Sequence, residues 1–417
     1  MSGAERGARV MARLDQLARH SATPGALTRL YLTPEHRAAA DQVAAWMREA
    51  GLAVRIDAVG SVIGRREGDR PGLPALLLGS HIDTVRDAGK YDGALGVVAA
   101  IEAVAALGDR RMPYAIEVIA FGDEEGVRFP VTLTGSRALA GTLDPASLDA
   151  CDAAGVAMRS ALVAFGAPAI GAAAALGYRR DAVLGYCEVH IEQGPVLEAA
   201  GLPVGIVTAI AGAARHMVEI TGVAGHAGTV PMALRHDPVC AAAEMVLAAE
   251  RIARETAGLV ITTGIVAAEP GAINVIAGGA RLSLDIRSGD DAVRHAATAA
   301  LRAEIAAIAA RRGVAVAIAD LYEAKAAPCA PPLVGALAES VARCGVTPRH
   351  LPSGAGHDGL AMIDLCPIAM LFVRCKLGIS HNPAESIMAG DAALAVAVLT
   401  DFLTRFDPRL TEQGPSQ

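Results

Sequence analysis

A scattered set of imidazole and carboxylate side chains, His81, Asp92, Glu124, Glu125, His190 and His381, has the clearest capacity for chemistry in this chain. No thiolate joins them, and that donor mixture suits Zn²⁺ or Mn²⁺. The set is too large for one tetrahedral ion and about right for two ions that share a bridging carboxylate. Paired ions ~3.5–4 Å apart clamp a water or hydroxide and polarise a carbonyl. Adjacent Glu124 and Glu125 would then divide the labour. One ligates a metal; the other takes a proton from the attacking water and passes it to the leaving group. Consecutive side chains in extended backbone point to opposite sides, so this requires a turn that splays both into one cleft. A lone His or a Glu-Glu pair is usually a solvated feature. Their joint placement at strand ends is what argues for a site.

Strand ends must therefore position these groups. Leu76 to Leu78 is a short apolar run that reads as a buried parallel strand, followed by Gly79-Ser80-His81-Ile82-Asp83-Thr84-Val85. Ligands in open α/β sheets bind at the carboxyl ends of such strands. His81 and Asp83, two apart, share a face of extended chain. Asp83 is thus expected to reach the ring nitrogen of His81 that is turned from the metal and to fix its tautomer. Taken alone, Asp83 reads equally as a turn cap. Tyr91-Asp92-Gly93 presents Asp92 in a glycine-flanked turn. The apolar strand Ala115–Phe121 leads into Gly122-Asp123-Glu124-Glu125-Gly126, and Tyr186–Ile191 carries His190 near its end. Helices at 4–19, 35–50, 96–107, 333–344 and 391–406, with strands at 53–58, 61–65 and 368–373, complete an α/β doubly wound mixed sheet.

The pattern changes near Gly212. Strands at 217–222, 259–267, 281–287 and 314–321 alternate with long helices at 239–257 and 291–312. This describes an α+β domain of about 110 residues, within the usual domain range. It is inserted rather than appended: residues 1–211 form the first part of the catalytic domain, 212–327 the insert, and 328–417 the second part.

Net charge is −7, and no Lys/Arg-rich tract is present. Nucleic acid is therefore not an expected partner, and a small solute is. Seven scattered Cys without a C-x-x-C pair point to reduced thiols and a cytoplasmic location. The charged N-terminus, with Glu5, Arg6, Arg9, Arg13 and Asp15, does not read as a signal peptide. Ser160 to Tyr178 is uncharged and long enough for a membrane span. Its Ala/Gly composition and Pro168 argue against one, so no membrane association is expected. Residues 407–417 are expected to fray.

Several motifs together resemble the M20 amidohydrolases, in the branch of allantoate amidohydrolases, N-carbamoyl-L-amino acid hydrolases and β-ureidopropionases. They are GSHIDTV with YDG, FGDEEGVRFP (121–130), VHIEQGPVLE (189–198), GHAGTVPM (225–232), SGAGHD (353–358) and SHNPAE (380–385). HIEQG discriminates best, because this branch has His where related peptidases place an acidic ligand. The resemblance implies His81 and His190 on one metal, Glu125 and His381 on the other, Asp92 bridging, Glu124 as general base and Asp83 behind His81. It implies that the insert is a lid and homodimerisation domain. His226 would then stabilise the tetrahedral intermediate, commonly in the partner subunit's site, while Asn274, Arg287 and Gln193 face the substrate. Without the resemblance, His226 reads as a turn histidine and Arg287 as a surface residue. A guanidinium fork fits a carboxylate bidentately, so an acidic substrate is sensible. Relatives often have two glycines shortly before Tyr-Asp-Gly; here Ala88 and Gly89 stand there.

The implied reaction is hydrolysis of a ureido C–N bond on an amino-acid-like carboxylate, releasing ammonia and carbon dioxide. Arg215, in Gly212-Ala213-Ala214-Arg215-His216, leans toward allantoate, where it would meet the second ureido arm. As a bland alternative it is a surface charge. N-carbamoyl-L-amino acid hydrolase or β-ureidopropionase is the second expectation. An aminopeptidase or deacylase is disfavoured by His190, and a metal-binding structural protein would not need a Glu placed as base. Two Zn²⁺ or Mn²⁺ ions per subunit are expected, and Co²⁺ or Ni²⁺ also accept these donors.

Overall fold

The computed structural model describes residues 2–168 and 177–411. The expectations for Ser160–Tyr178 and for the C-terminal residues fall partly on 169–176 and 412–417, outside the described residues. No helix among the described residues is long and apolar enough to cross a membrane.

Two compact units are present. The first contains the chain up to Thr208, Cys329–Leu351 and the chain from Ala355; the second contains Ala209–Pro328 with Pro352–Gly354. The first is built on a mixed sheet in the order Ala53–Ile56, Val62–Arg66, Ala115–Phe121, Ala75–His81, Val183–Ile191, Ile368–Val373, Val204–Ile210. The four strands from Ala115–Phe121 to Ile368–Val373 run parallel, and their outer neighbours are antiparallel. Parallel strands are covered on both faces and read as continuous apolar runs, which is why Ala75–His81 and Ala115–Phe121 are buried throughout.

Alternate residues of these strands, among them Leu76, Leu78, Val118, Val189 and Leu371, join one apolar cluster with helix Ala94–Ala106. That helix is buried from Ala94 to Val104. Its buried carboxylate, Glu102, is paired with Arg9 and Arg13 of the N-terminal helix Gly3–Leu17. By the same alternation, Tyr186, Glu188 and His190 share the opposite face of their strand.

In the second unit a sheet ordered Val266–Glu269, Gly279–Ser288, Gly212–Thr221, Ala315–Ala324 packs against helices Pro238–Glu255 and Asp291–Arg312. The sequence reads 259–267 as one strand. The structure instead has Leu259–Thr262 and Val266–Glu269, both paired to Gly279–Ser288. The interruption has a local cause: the Ile265 N–H turns to the Ser283 hydroxyl, 2.9 Å away, instead of a ladder carbonyl. Strand Val204–Ile210 was not anticipated, because its apolar run has no alternation to mark it.

Two buried basic side chains lie near the site, and one of them ties down the chain just after His81. Arg29, 1% exposed, donates from Nε to the Ile82 carbonyl at 2.6 Å and from Nη1 to the Leu17 carbonyl at 2.8 Å. Burial pulls its guanidinium down to about 10. His36 stacks on Phe165 and accepts the Leu32 N–H at Nδ1, 3.2 Å. Burial, helped by Arg29 and Arg128, lowers its pKa to about 3.

His36 thus stays neutral in the fold but binds a proton near pH 6.5 when unfolded. Its contribution to stability is full above that pH and is lost as pH falls toward about 3. Between pH 7.5 and pH 5.0 it should cost about 2 kcal/mol. Urea unfolding at both pH values measures this, and His36→Gln should flatten the pH dependence by that amount. An identical pH dependence in the variant would show that His36 is not the linked group.

Candidate metal centre

Strand ends and the loops after them deliver a cluster within the first unit. His81 closes its strand, His190 lies one residue before the end of its own, and Asp92 sits just before the helix that begins at Ala94. Glu124 and Glu125 follow the strand ending at Phe121, and His381 lies in the loop after Lys376–Gly378. Their donor atoms form overlapping sets, each within 4.8 Å: His81, Asp92 and His190; Asp92, Glu125 and His381; His81, Glu124 and Glu125.

Asp92 is common to the first two sets and is 5% exposed. Its Oδ1 lies 3.1 Å from His190 Nε2 and 3.5 Å from His81 Nε2. Its Oδ2 lies 3.3 Å from His381 Nε2, which is itself 3.6 Å from Glu125 Oε2. His81 Nδ1 is 3.0 Å from the Asp83 carbonyl and His190 Nδ1 is 2.9 Å from the Ile191 carbonyl. A carbonyl can only accept, so each Nδ1 carries hydrogen; unless protonated, the Nε2 of His81 presents its lone pair toward Asp92, while that of His190 accepts the Gly93 N–H at 3.2 Å beside Asp92. A lone pair facing a carboxylate calls for a positive charge between the two.

The acid–base balance expresses the same demand. Burial opposes charge on His81, yet Asp92 and Glu124 carry its pKa well above the usual imidazole range. Contact with Asp92 raises His381 to about 8. Asp92, despite burial, is held well below the carboxylate range by His190, His381 and His81. Glu124 is raised well above the carboxylate range, chiefly by burial with Glu125 and Asp358 adding to it. Burial and the neighbouring Asp92 push Glu125 to about 7. Glu125 Oε1 is buried with no hydrogen-bond partner among the described residues. These donors fit divalent cations.

The turn that splays Glu124 and Glu125 into one cluster has two parts. Asp123, just before them, takes φ +67°, a left-handed conformation that breaks strand alternation. The Asp83 carboxylate then accepts the N–H groups of Glu124 (3.2 Å) and Glu125 (3.3 Å). This modifies the expectation for Asp83. Its main-chain carbonyl holds His81 Nδ1, while its carboxylate is 3.7 Å from that nitrogen and is committed to the glutamate turn.

Gln193 also differs from expectation in what it touches. Its Nε2 donates to Asp92 Oδ2 and Ser380 Oγ, both at 2.9 Å. Its Oε1 is buried without a partner among the described residues. Residues without an assigned role in the sequence surround the cluster. His357, from the SGAGHD motif, packs against His190 with ring centroids 4.4 Å apart. Glu188 is bonded by Ser80 Oγ at 2.9 Å and Tyr186 Oη at 3.0 Å. Glu188 could have been found, since residues 188 and 190 share a strand face.

The remaining sequence candidates lie in the second unit. His226 and Val275 are paired on a two-stranded ribbon, so exposed His226 and exposed Asn274 come together; the Ala227 N–H donates to the Asn274 carbonyl at 3.1 Å. Arg287 grips Asp285 through Nε (2.7 Å) and Nη2 (3.0 Å) and donates from Nη1 to the Gly354 carbonyl at 2.8 Å. Arg215 donates from Nε to the same Asp285 at 2.9 Å and lies over the Tyr322 ring. Both arginines line a cavity of about 670 Å³ with Val260, Ser288 and Leu321.

Comparison with known proteins gives the same class. Residues 77–405 match the family described as "Peptidase family M20/M25/M40", and the chain belongs to that family, whose members are metal-dependent. An N-carbamoyl-L-amino acid amidohydrolase of Geobacillus stearothermophilus is 42% identical over 396 residues, covering 94% of this chain and 97% of the relative. A rice protein, "Probable allantoate deiminase" of Oryza sativa subsp. japonica, is 41% identical over 427 residues, covering 94% and 87%. A crystal structure of a hydantoinase/carbamoylase family amidase from Burkholderia ambifaria is 38% identical, with TM-score 0.88 over 95% of this chain and 96% of that one. The branch expected from the motifs is borne out.

Gly93 sets the tightest steric limit on the cluster. Its φ is +62°, and a Cβ there would lie 2.4 Å from His81 Nε2. Gly93→Ala should cost more than the about 1–2 kcal/mol of a left-handed residue, because φ +62° with ψ −53° lies outside the left-handed helical well. Displacing His81 should also sharply reduce bound metal, measured by elemental analysis after dialysis. Full metal content in a folded Gly93→Ala protein would contradict the steric limit.

Proposed function

We propose that this chain is a dinuclear-metal amidohydrolase that cleaves the ureido C–N bond of an amino-acid-like ureido acid, with allantoate as the leading substrate. The observation that carries the reading is the placement of Asp92, with one oxygen toward His81 and His190 and the other toward His381. In this reading His81 and His190 would hold one ion, Glu125 and His381 the other, and Asp92 would serve both. Two bound divalent ions would supply Lewis-acid polarisation of the ureido carbonyl and acidify the attacking water.

The chain's own residues supply the rest. Glu124, with Oε2 4.0 Å from His81 Nε2, takes the water proton and delivers it to the departing nitrogen. Its buried setting raises its affinity for that proton, as a base that must become an acid requires. Gln193 Oε1, a buried acceptor lacking a donor among the described residues, is suited to a ureido N–H. Arg287 recognises the substrate carboxylate, Asn274 assists it, and His226 stabilises the tetrahedral intermediate. Homodimerisation through the second unit belongs to the same proposal and rests on the family resemblance.

Arg215 and Arg287 at one cavity support allantoate, which offers polar groups beyond a single carboxylate. Asp285 bonds both arginines; in the second reading, N-carbamoyl-L-amino acids, Arg215 stays between Asp285 and the Tyr322 ring and meets no substrate. Ammonia release by Mn²⁺-loaded protein, compared across allantoate, N-carbamoyl-L-amino acids and N-carbamoyl-β-alanine, distinguishes them. Preference for a carbamoyl amino acid would make Arg215 a structural residue, and activity on none would overturn the substrate class.

Two variants test the assignments. Glu124→Gln should keep its metal and lose roughly 10²–10⁴ in kcat; unchanged turnover would remove Glu124 from the mechanism. Arg287→Ala should raise KM by about 10–100-fold, since a charge-assisted bond contributes about 1.5–3 kcal/mol. An unchanged KM would exclude Arg287 from carboxylate recognition.

A further inference from the structure

We infer that Glu385 is a positioning residue of the metal centre, holding Asp92 in its bridging pose through the main chain of Tyr91-Asp92 and through Ser380. The inference rests on the reading of Asp92 as the shared ligand. Glu385 is 4% exposed and follows His381 by four residues in the same loop. Its Oε1 accepts two consecutive main-chain N–H groups, from Tyr91 at 2.8 Å and Asp92 at 3.1 Å. Its Oε2 lies 3.1 Å from Ser380 Oγ.

Ser380 connects that anchor to the ligand atom. Its Oγ is 2.8 Å from Asp92 Oδ2 and accepts a hydrogen from Gln193 Nε2 at 2.9 Å. A hydroxyl has one proton to give, so Ser380 donates to one carboxylate at a time. Gln193 Nε2 also donates to Asp92 Oδ2. The Asp92 side chain is thus fixed by Ser380 and Gln193, and its backbone by Glu385.

The space for this carboxylate is specific. A Cβ on Gly89 would lie 2.3 Å from Glu385 Cδ and Oε1, so the chain runs past the carboxylate only because residue 89 has no side chain. Burying a carboxylate is costly unless charge-assisted bonds compensate it. Here they are spent on the two residues that aim Asp92. The loop that presents His381 therefore also fixes the ligand His381 faces. Groups behind the direct ligands typically change metal affinity or activity by about 10–100-fold when removed.

The test is calorimetric titration of metal-free full-length protein with Mn²⁺, comparing wild type, Glu385→Ala, Glu385→Gln and Ser380→Ala. Glu385→Ala should bind Mn²⁺ about 10–100-fold more weakly, with lower kcat and unchanged KM. Its metal-free melting temperature should fall by a few degrees, because two buried N–H groups lose their acceptor, and Glu385→Gln should recover that loss. Glu385→Gln retains an oxygen that accepts both N–H groups and should restore most of the affinity. Two Mn²⁺ bound by Glu385→Ala at wild-type affinity would overturn the inference. So would equal loss of metal-free stability in the Ala and Gln variants, which marks a purely structural role. Should Glu385→Ala not fold, Ser380→Ala decides: weaker Mn²⁺ binding supports the inference, and unchanged binding overturns it. Wild-type protein that binds fewer than two Mn²⁺ would instead overturn the dinuclear reading beneath it.

Discussion

The sharing of one buried carboxylate among three imidazoles is the constraint to which the first unit answers. Asp92 cannot be placed within about 3.5 Å of His81, His190 and His381 by its own turn alone. Each imidazole must arrive on a separate stretch of chain, aimed by a carbonyl or a loop. The parallel strands do the coarse placement, because their ends converge on one edge of the sheet. Hydrogen bonds do the fine placement, and most are made by groups that themselves bear no ligand atom.

Asp83 and Glu385 illustrate one economy of design. Each buried carboxylate accepts two successive peptide N–H groups, at Glu124-Glu125 and at Tyr91-Asp92. Both pairs end on, or contain, side chains of the centre. An anion is thereby used to orient other anions through their main chain. Such an arrangement is electrostatically unfavourable without cations, and it prepares the pocket for them in advance.

Much of this was legible in the sequence. Apolar runs ending in His or Glu mark Ala75–His81, Ala115–Phe121 and the His190 strand, and the change of pattern near Gly212 marks the insert. Pattern reading sees periodicity and strand ends, so it locates residues that close an element. It does not see which backbone N–H a carboxylate will accept, so Asp83 was matched to the imidazole it follows rather than to a turn about forty residues away in sequence. Nor does it see Glu385, whose partners lie nearly three hundred residues earlier. The left-handed turn at Asp123 was implied only by need: something had to break alternation before Glu124. Arg215 and Arg287 show another limit, since a charge read from the sequence does not reveal that Asp285 bonds both within their own sheet.

The order of strands in the sheet has a bearing on biosynthesis. Ile368–Val373 lies between Val183–Ile191 and Val204–Ile210, although a whole second unit is translated before it. A ribosome-bound chain that has emerged as far as residue 354 holds the whole second unit, Ala209–Pro328 with Pro352–Gly354, whereas the first still lacks an interior strand, His381 and Glu385. Domains ordinarily fold in the order they are made; here the later-starting unit can finish first. Assembly of the metal-ligand cluster then has to wait until Ile368–Val373 and His381 have been made, after the whole second unit.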